Sequence, residues 1–108
     1  MSSTAVTLAI DQGTHLSRAL LFDVNGEVVA QFSKPISLFH RSSVEVEQNP
    51  YEIIDSIHSI IAQSLQFAKQ HQKYIGQIGL ATQRSSVVAW DSRTGKALSP
   101  VLSWQDRR

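Results

Sequence analysis

Short apolar runs separated by polar turns dominate the first third of the chain. Residues 6–10 predict a buried strand, and residues 19–23 predict its hairpin partner. The Asn25-Gly26 pair then separates the second run from residues 28–32. This pair predicts a second hairpin, because a two-residue type I′ turn needs positive φ at both positions. The sequence therefore begins with three predicted antiparallel strands.

The pattern weakens after the third strand. Pro35 ends that strand, because proline has no N–H to donate to the ladder. Residues 36–48 form a connecting segment in which valine and glutamate alternate at 44–47. The alternation fits either a short edge strand or an extended loop.

The clearest helix signal begins at Asn49. Asn49 can cap a helix, Pro50 fits the first helical position, and Glu52 completes a capping-box pattern. The helix is predicted to end at about His71. Apolar residues with a 3.6-residue period predict a core-facing stripe that contains Ile53, Ile54, Ile57, Ile60, Ile61, Leu65 and Ala68.

Further strands are predicted in the last third of the chain. Residues 74–82 predict a strand that lies parallel to the first one, if the helix forms a right-handed crossover. Residues 87–90 and 100–104 predict two more strands, with a turn at 92–95 between them. Antiparallel neighbours beside a parallel crossover indicate a mixed sheet with a helix on one face.

Composition narrows the classes of function. Ten basic and nine acidic side chains among 108 residues give a net charge of +1, which argues against nucleic acid or an anionic membrane as a partner. The chain has no cysteine, no signal-peptide pattern and no apolar run near the roughly 18 residues of a membrane span. We therefore expect one cytoplasmic domain without disulfides.

The first predicted turn contains the residues with the clearest chemistry. Asp11 is suited to a hydrated Mg²⁺, which prefers carboxylate and water ligands. Gly13 lets a phosphate approach backbone N–H groups, Thr14 adds a hydroxyl, and Arg18 supplies positive charge. An Asp-x-Gly-Thr string also occurs in ordinary turns, so this string alone leaves both interpretations open.

Two later segments are candidates for binding a small molecule. Arg84 follows the fourth predicted strand, where open α/β sheets bind ligands, and its guanidinium can grip hydroxyls or a carboxylate. Trp104 offers a ring face to the carbon side of a sugar or polyol, and Asp106 can accept hydroxyl hydrogen bonds. The structural alternatives are a solvated Arg84 and a Trp104 in the core or at its rim.

Taken together, these segments resemble the FGGY family of carbohydrate kinases, and most closely its glycerol kinase branch. The resemblance begins near Thr7 and covers nearly the whole chain. It rests on four landmarks in order: residues 9–14 with Ser17-Arg18, Asn49-Pro50, residues 78–84, and the Trp-Gln-Asp-Arg-Arg string at 104–108.

The resemblance implies an α/β fold of the actin-like ATPase type, with a ribonuclease-H-like mixed sheet and a crossover helix. It also implies ATP-dependent phosphorylation of a sugar or polyol hydroxyl, with Asp11 as the Mg²⁺-associated acid. The residues that it assigns to ATP are Asp11, Gly13, Thr14, Ser17 and Arg18. The residues in segments that resemble the substrate pocket are Gln83, Arg84, Trp104 and Asp106.

Three residues depart from the glycerol kinase pattern. His15 stands where a hydroxyl residue is usual in the phosphate loop. Ser85 stands where glycerol kinases carry a glutamate that binds glycerol, and a neutral side chain loses that charge-assisted bond. Asp106 is typical of the wider family and favours another polyol or sugar as the acceptor.

Family members are several times longer than this chain, and their catalytic base lies much further along. We therefore expect residues 1–108 to be the N-terminal portion of an FGGY kinase N-terminal domain, incomplete and without a catalytic residue of its own. Phosphoryl transfer depends on positioning around an in-line geometry, so we expect no catalysis from this chain alone.

Two other functions stay open from the sequence. The chain fits a non-catalytic remnant that binds a nucleotide or another ligand. A ribonuclease-H-like nuclease is the third hypothesis, but it needs several carboxylates that converge on paired metals. The acidic residues available for that role lie in the connector and helix start: Glu45, Glu47, Glu52 and Asp55.

An incomplete domain also has a consequence for association. It leaves sheet edges and apolar faces without cover. We therefore expect self-association into a homo-oligomer or poor solubility.

Overall fold

Strand β1 occupies Thr4–Gln12 in the computed structural model, which describes residues 4–108. Every second side chain from Val6 to Gln12 is buried, as expected when a sheet covers one face. β2 (Leu16–Phe22) and β3 (Val28–Pro35) follow as antiparallel neighbours. The three predicted strands are confirmed, and β1 and β2 extend further towards their shared turn than the apolar runs do.

The β2–β3 connection differs from the predicted type I′ turn. Gly26 has a φ of +80°, but Asn25 does not have a positive φ. The Gly26 N–H donates to the Asp23 carbonyl, and the Asp23 carboxylate accepts from two further N–H groups of the loop. One glycine and an aspartate side chain therefore build a longer loop in place of the Asn-Gly turn.

Two short strands form in the segment after β3. β4 (Phe39–His40) pairs antiparallel with β5 (Val46–Gln48). The structure therefore adopts a short strand rather than an extended loop, but β5 has a neighbour on both sides and is not the predicted edge strand. Val46 and Gln48 are buried and Glu47 is partly buried, so an amide side chain occupies one of the covered positions of β5.

Helix α1 spans Pro50–Gln70 and ends one residue before the predicted position. Asn49 is its N-cap, and the side-chain oxygen accepts a hydrogen bond from the Tyr51 N–H at 2.9 Å. The predicted capping box is wrong, because the Glu52 carboxylate accepts from both the backbone N–H and the hydroxyl of Ser37. Glu52 therefore ties the chain after β3 to the first turn of the helix.

The buried face of α1 is rotated from the predicted isoleucine stripe. Ile54 and Leu65, both in that stripe, are about half exposed. The hydroxyls of Ser56 and Ser64 donate to carbonyl groups one turn earlier, so these serines can pack against the sheet without an unsatisfied donor. The buried residues of the helix are Ser56, Ile60, Ser64 and Ala68.

Strand β6 (Lys73–Thr82) lies parallel to β1, as predicted for a strand after a crossover helix. The main sheet has the order β3-β2-β1-β6, and among residues 4–108 no strand pairs with the outer edge of β6. The core lies between this sheet and α1, around the fully buried Leu8, Leu21 and Ile60. The predicted mixed sheet with a helix on one face is confirmed.

Strand β7 (Val101–Leu102) completes a second sheet of order β4-β5-β7. The longer strands predicted at 87–90 and 100–104 are wrong. In the described chain after β6, residues 87–90 form no ladder. They take part in two isolated bridges, Val87–Leu102 and Trp90–Ala97. Among residues 4–108, no helix is both long and apolar enough to cross a membrane.

Candidate functional site

A cleft opens beyond the carboxyl ends of β1 and β6. Parallel pairing places Gln12 beside Thr82, and the Gln83 N–H then donates to the Gln12 carbonyl at 2.8 Å. The chain leaves both strands at the same edge of the sheet, where open α/β folds bind ligands. The cleft has a volume of about 580 Å³ and is lined by Asp11, Gln12, Gly13, Thr14, Thr82, Gln83, Arg84, Ser85 and Trp104.

Asp11 and Arg18 are cross-strand partners on the sheet face that α1 does not cover. Arg18 Nη2 lies 3.5 Å from Asp11 Oδ2, and both side chains are about half exposed. Arg18 Nε is buried and has no hydrogen-bond partner among the residues that the structure describes. The exposed part of the guanidinium carries positive charge that a negatively charged ligand can contact.

The turn between β1 and β2 leaves little room for a side chain at Gly13 and leaves backbone donors without a partner. The Gly13 N–H donates to the Leu16 carbonyl at 2.9 Å, and a Cβ at position 13 would lie 3.1 Å from that same oxygen. The Gly13 N–H is therefore occupied within the turn. Within residues 4–108 the N–H groups of Thr14 and His15 donate to no other residue, and Thr14 lines the cleft.

Thr14 and Trp104 meet across the cleft. Trp104 Nε1 donates to Thr14 Oγ1 at 2.8 Å, although the two residues are 90 positions apart. About half of the Trp104 side chain stays exposed. The turn predicted for phosphates and the ring predicted for a polyol are thus brought together by a direct hydrogen bond.

Gln83 lines the cleft, but its amide is used within the fold. Gln83 Nε2 lies within 3.5 Å of the Gln12 side-chain oxygen, the Gly13 carbonyl and the Gln48 side-chain oxygen. Gln83 Oε1 accepts a hydrogen bond from the Ser86 hydroxyl at 2.9 Å. Gln83 therefore fixes the walls of the cleft and has little capacity left for a substrate.

Gln48 is a functional candidate that the sequence analysis missed. Its amide contacts both Thr14 and Gln83, at the last position of β5. One signal in the sequence was available: a polar residue at a covered position of the alternation in β5, directly before a helix cap. That signal does not identify its partners, which are distant in the chain.

Arg84 and Ser85 follow Gln83 at the rim of the cleft and are exposed. Ser85 has a φ of +62°, a left-handed conformation that is uncommon for a residue with a side chain. The Arg84 guanidinium donates no hydrogen bond to another residue of the described chain, so it is free to contact a ligand.

Ser17, which the resemblance assigned to ATP, lies outside the cleft. Its side chain is completely buried, and its hydroxyl is 2.7 Å from the Ser56 hydroxyl of α1. The alternation of β2 directs Ser17 to the helix side and Arg18 to the open side. A phosphate in the cleft does not reach Ser17.

Asp106 also lies outside the cleft that the other predicted substrate residues line. Its carboxylate accepts from the Val46 N–H at 2.7 Å, and its Oδ2 is 2.7 Å from Arg108 Nη2. Only 6% of the side chain is exposed. The prediction that Asp106 binds substrate hydroxyls does not fit this position, because its oxygens join β5 to the end of the chain.

Arg108 organises a cluster of charges around Asp106. Hydrogen bonds from Arg108 lower the pKa of Asp106 to about 2, and the backbone N–H groups of Arg108 and Val46 act in the same direction against the effect of burial. Arg108 also lowers the pKa of Glu47, with a further contribution from Arg41. The two acids in turn raise the pKa of Arg108. This ionised cluster has a structural role.

Among residues 4–108, no three side chains of the metal-binding types are grouped to hold an ion. Glu45 and Glu47 pair with arginines, and Glu52 binds Ser37. These carboxylates do not converge as nuclease chemistry requires. Asp11 stands alone in the cleft, which suits Mg²⁺ bound through one carboxylate together with water and nucleotide phosphates.

Both the sequence and the structure of this chain are similar to those of known proteins. The model of the FGGY family of carbohydrate kinases, N-terminal domain, matches residues 6–108. Glycerol kinase from Acinetobacter baylyi is 45% identical over 101 residues, which are 94% of this chain and 20% of that protein. The structure matches that of Plasmodium falciparum glycerol kinase with ADP at a TM-score of 0.94 and 26% identity, over 100% of this chain and 22% of the other.

A gluconate kinase from Lactobacillus acidophilus matches at a TM-score of 0.85 and 27% identity, over 96% of this chain and 20% of that one. The predicted fold class is therefore confirmed as the N-terminal part of the actin-like ATPase fold of sugar kinases. The chain spans about a fifth of the length of the curated relatives it matches. Because the family model covers nearly all of its residues, this chain belongs to the FGGY family of carbohydrate kinases.

Proposed function

We propose that this chain supplies part of the nucleotide site and part of the acceptor site of an ATP-dependent kinase. In this reaction the γ-phosphate of ATP passes to a hydroxyl of a sugar or polyol. The observation that carries the proposal is the 2.8 Å hydrogen bond from Trp104 Nε1 to Thr14 Oγ1. It joins a turn with free N–H donors to an aromatic ring suited to a polyol, within one cleft.

The nucleotide side consists of Asp11, Arg18 and the turn between them. Asp11 would hold Mg²⁺ through water, and the bound ion would neutralise phosphate charge. The N–H groups of Thr14 and His15 would donate to phosphate oxygens, as in other backbone anion sites. Arg18 adds a fixed positive charge whose buried Nε has no partner in the described chain. The structural neighbour solved with ADP supports an adenine nucleotide as the ligand.

The acceptor side consists of Arg84 and Trp104. The Arg84 guanidinium can donate to two neighbouring hydroxyls, and the Trp104 ring can pack against the carbon side of the acceptor. These contacts would hold one hydroxyl near the terminal phosphate, which removes much of the entropic barrier to the reaction. Ser17 is omitted from the nucleotide side, and Gln83 and Asp106 from the acceptor side, because their polar atoms are bonded within the fold.

We propose that residues 1–108 are the N-terminal portion of a kinase N-terminal domain. The transfer step also needs a group that accepts the hydroxyl proton. Asp11, the single carboxylate that lines the described cleft, is assigned to the metal. The 108 residues alone are therefore expected to bind ligands without turnover. A non-catalytic binding remnant is the alternative, and acceptor-dependent ADP release by a longer form of the chain would exclude it.

The proposal is tested by replacing the carboxylate of the cleft. Asp11→Asn removes the charge that Mg²⁺ requires, so we expect it to weaken binding of Mg-ADP by about tenfold or more and to change binding of metal-free ADP little. The matched control is Asp55→Asn, on the exposed face of α1. Isothermal titration calorimetry with and without EDTA gives both affinities. Equal affinities of the two variants for Mg-ADP would contradict the assignment.

A further inference from the structure

We propose that Gln48 is a positioning residue, which fixes the turn after β1 relative to Trp104. The inference rests on the proposed function, since it concerns how that site keeps its shape. Gln48 is not among the residues that line the cleft. It lies behind them, at the junction of β5 and the cap of α1.

Both ends of the Gln48 amide are bonded to walls of the cleft. Nε2 donates to the Thr14 carbonyl at 2.7 Å, and Oε1 accepts from Gln83 Nε2 at 3.1 Å. The residue is 1% exposed. Burial of an amide is unfavourable unless its polar atoms are bonded, so these two bonds, rather than packing, explain a glutamine at this position.

The two bonds belong to a closed ring. The Trp104 backbone N–H donates to Ser86 Oγ at 3.1 Å, and the Ser86 hydroxyl donates to Gln83 Oε1 at 2.9 Å. Gln83 donates to Gln48, and Gln48 donates to the Thr14 carbonyl. The indole of Trp104 closes the ring on the Thr14 hydroxyl. Along this path from the Trp104 backbone to the Thr14 carbonyl, each residue donates to the next one. Hydrogen bonds arranged in this way polarise and strengthen one another.

The ring explains how Gln48 acts on a ligand that it does not contact. Thr14 is held at two points, its carbonyl by Gln48 and its hydroxyl by Trp104. Loss of the Gln48 donor frees the carbonyl, and the neighbouring N–H groups lose their fixed direction towards a phosphate. The path of hydrogen bonds that runs from the Trp104 backbone to the turn is broken at the same time, so the indole bond alone joins Trp104 to the turn.

Gln48→Met tests this role, because methionine has a similar length and shape but no amide. The first readout is the hydrogen-exchange protection of the Trp104 indole N–H, with the Leu8 amide as the reporter of global unfolding. We expect indole protection to fall about tenfold more than Leu8 protection, and the Kd for Mg-ADP to rise about tenfold. The controls are Gln66→Met on exposed α1 surface and the Trp90 indole, neither of which should change.

A purely structural role gives a different result. In that case the Leu8 amide and the Trp104 indole lose protection by the same factor, which contradicts the proposal. Unchanged Trp104 protection in a folded Gln48→Met variant also contradicts it. Failure of the unaltered chain to bind Mg-ADP contradicts the proposed function alone, since the exchange measurement needs no ligand.

The unaltered chain provides a second test if the variant does not fold. The side-chain NH₂ of Gln48 should exchange far more slowly than that of Gln66, and its resonances should move together with the Trp104 indole when Mg-ADP is added. A Gln48 amide that exchanges as fast as the Gln66 amide would overturn the proposal. The proposal is also overturned if the Gln48 side-chain resonances stay in place while the Trp104 indole resonance shifts on addition of Mg-ADP.

Discussion

At the scale of single residues, unpaired polar atoms indicate where a ligand would bind. Arg18 Nε and the N–H groups of Thr14 and His15 have no partner within residues 4–108. The polar atoms of Ser17 and Asp106 are instead bonded inside the fold. A residue type that is suited to a ligand therefore contributes to the site only when its neighbours leave it unsatisfied.

The sequence identified most of the residues that line the cleft, because they follow strand ends that the topology brings together. Asp11 lies near the end of β1, Gly13 and Thr14 come directly after it, and Arg84 comes after β6. Gln48 could not be identified in this way. Its two partners lie 34 and 35 positions away, and no local pattern specifies such pairs.

The Asp106 cluster gives a pH dependence at this scale. The folded pKa of Asp106 is lowered to about 2, below its ordinary value, so its contribution to stability is present above about pH 4 and is lost as the pH falls towards 2. We expect the urea midpoint of Asp106→Asn to be lower than that of the unaltered chain at pH 6, with the difference shrinking between pH 4 and pH 2. Asp55→Asn is the control, and a difference that stays constant over this range would contradict the account.

At the scale of elements, local signals located the helix and the strands but not the faces that they bury. The strand pairing of β1, β2, β3 and β6 agrees with the pattern of the sequence. The face of α1 was predicted from apolar residues alone, yet two serines with locally satisfied hydroxyls are buried in it. Residues 87–90 lack most of the predicted pairing, because a short apolar run alone does not supply a neighbouring strand.

The start of α1 gives a prediction for one element. Asn49 Oδ1 accepts from the Tyr51 N–H, which satisfies one of the free donors of the first turn. We expect Asn49→Ala to lower the free energy of unfolding by about 1 kcal/mol, while Asn49→Ser keeps most of the capping. Urea denaturation measures both variants. Equal losses for alanine and serine would show that the cap contributes no specific hydrogen bond.

At the scale of the whole molecule, the open edge of the main sheet at β6 is a prominent surface. β6 is an edge strand in residues 4–108, and no charged residue lies between Tyr74 and Thr82. Ile78 and Leu80 are 64% and 63% exposed, beside the buried Leu8 and Ile10 of β1. Unpaired backbone groups next to exposed apolar side chains favour pairing with a second copy of the chain.

We therefore expect the chain to self-associate as its concentration rises, through the edge of β6. Leu80→Lys places a charge on that edge and should reduce the association. Val24→Lys, in the exposed β2–β3 loop, is the matched control and should not. Multi-angle light scattering over a range of concentrations distinguishes them. A monomer at every concentration, or an equal response of both variants, would contradict this expectation.

The proposed site is one cleft that binds a Mg-nucleotide through the turn after β1. Titration of the isotope-labelled chain with Mg-ADP, followed by ¹H–¹⁵N NMR, tests this site residue by residue. We expect the largest shifts for the backbone N–H groups of Thr14 and His15 and for the Trp104 indole, with the Trp90 indole unchanged. Shifts centred on another surface, or no shifts at millimolar Mg-ADP, would contradict it.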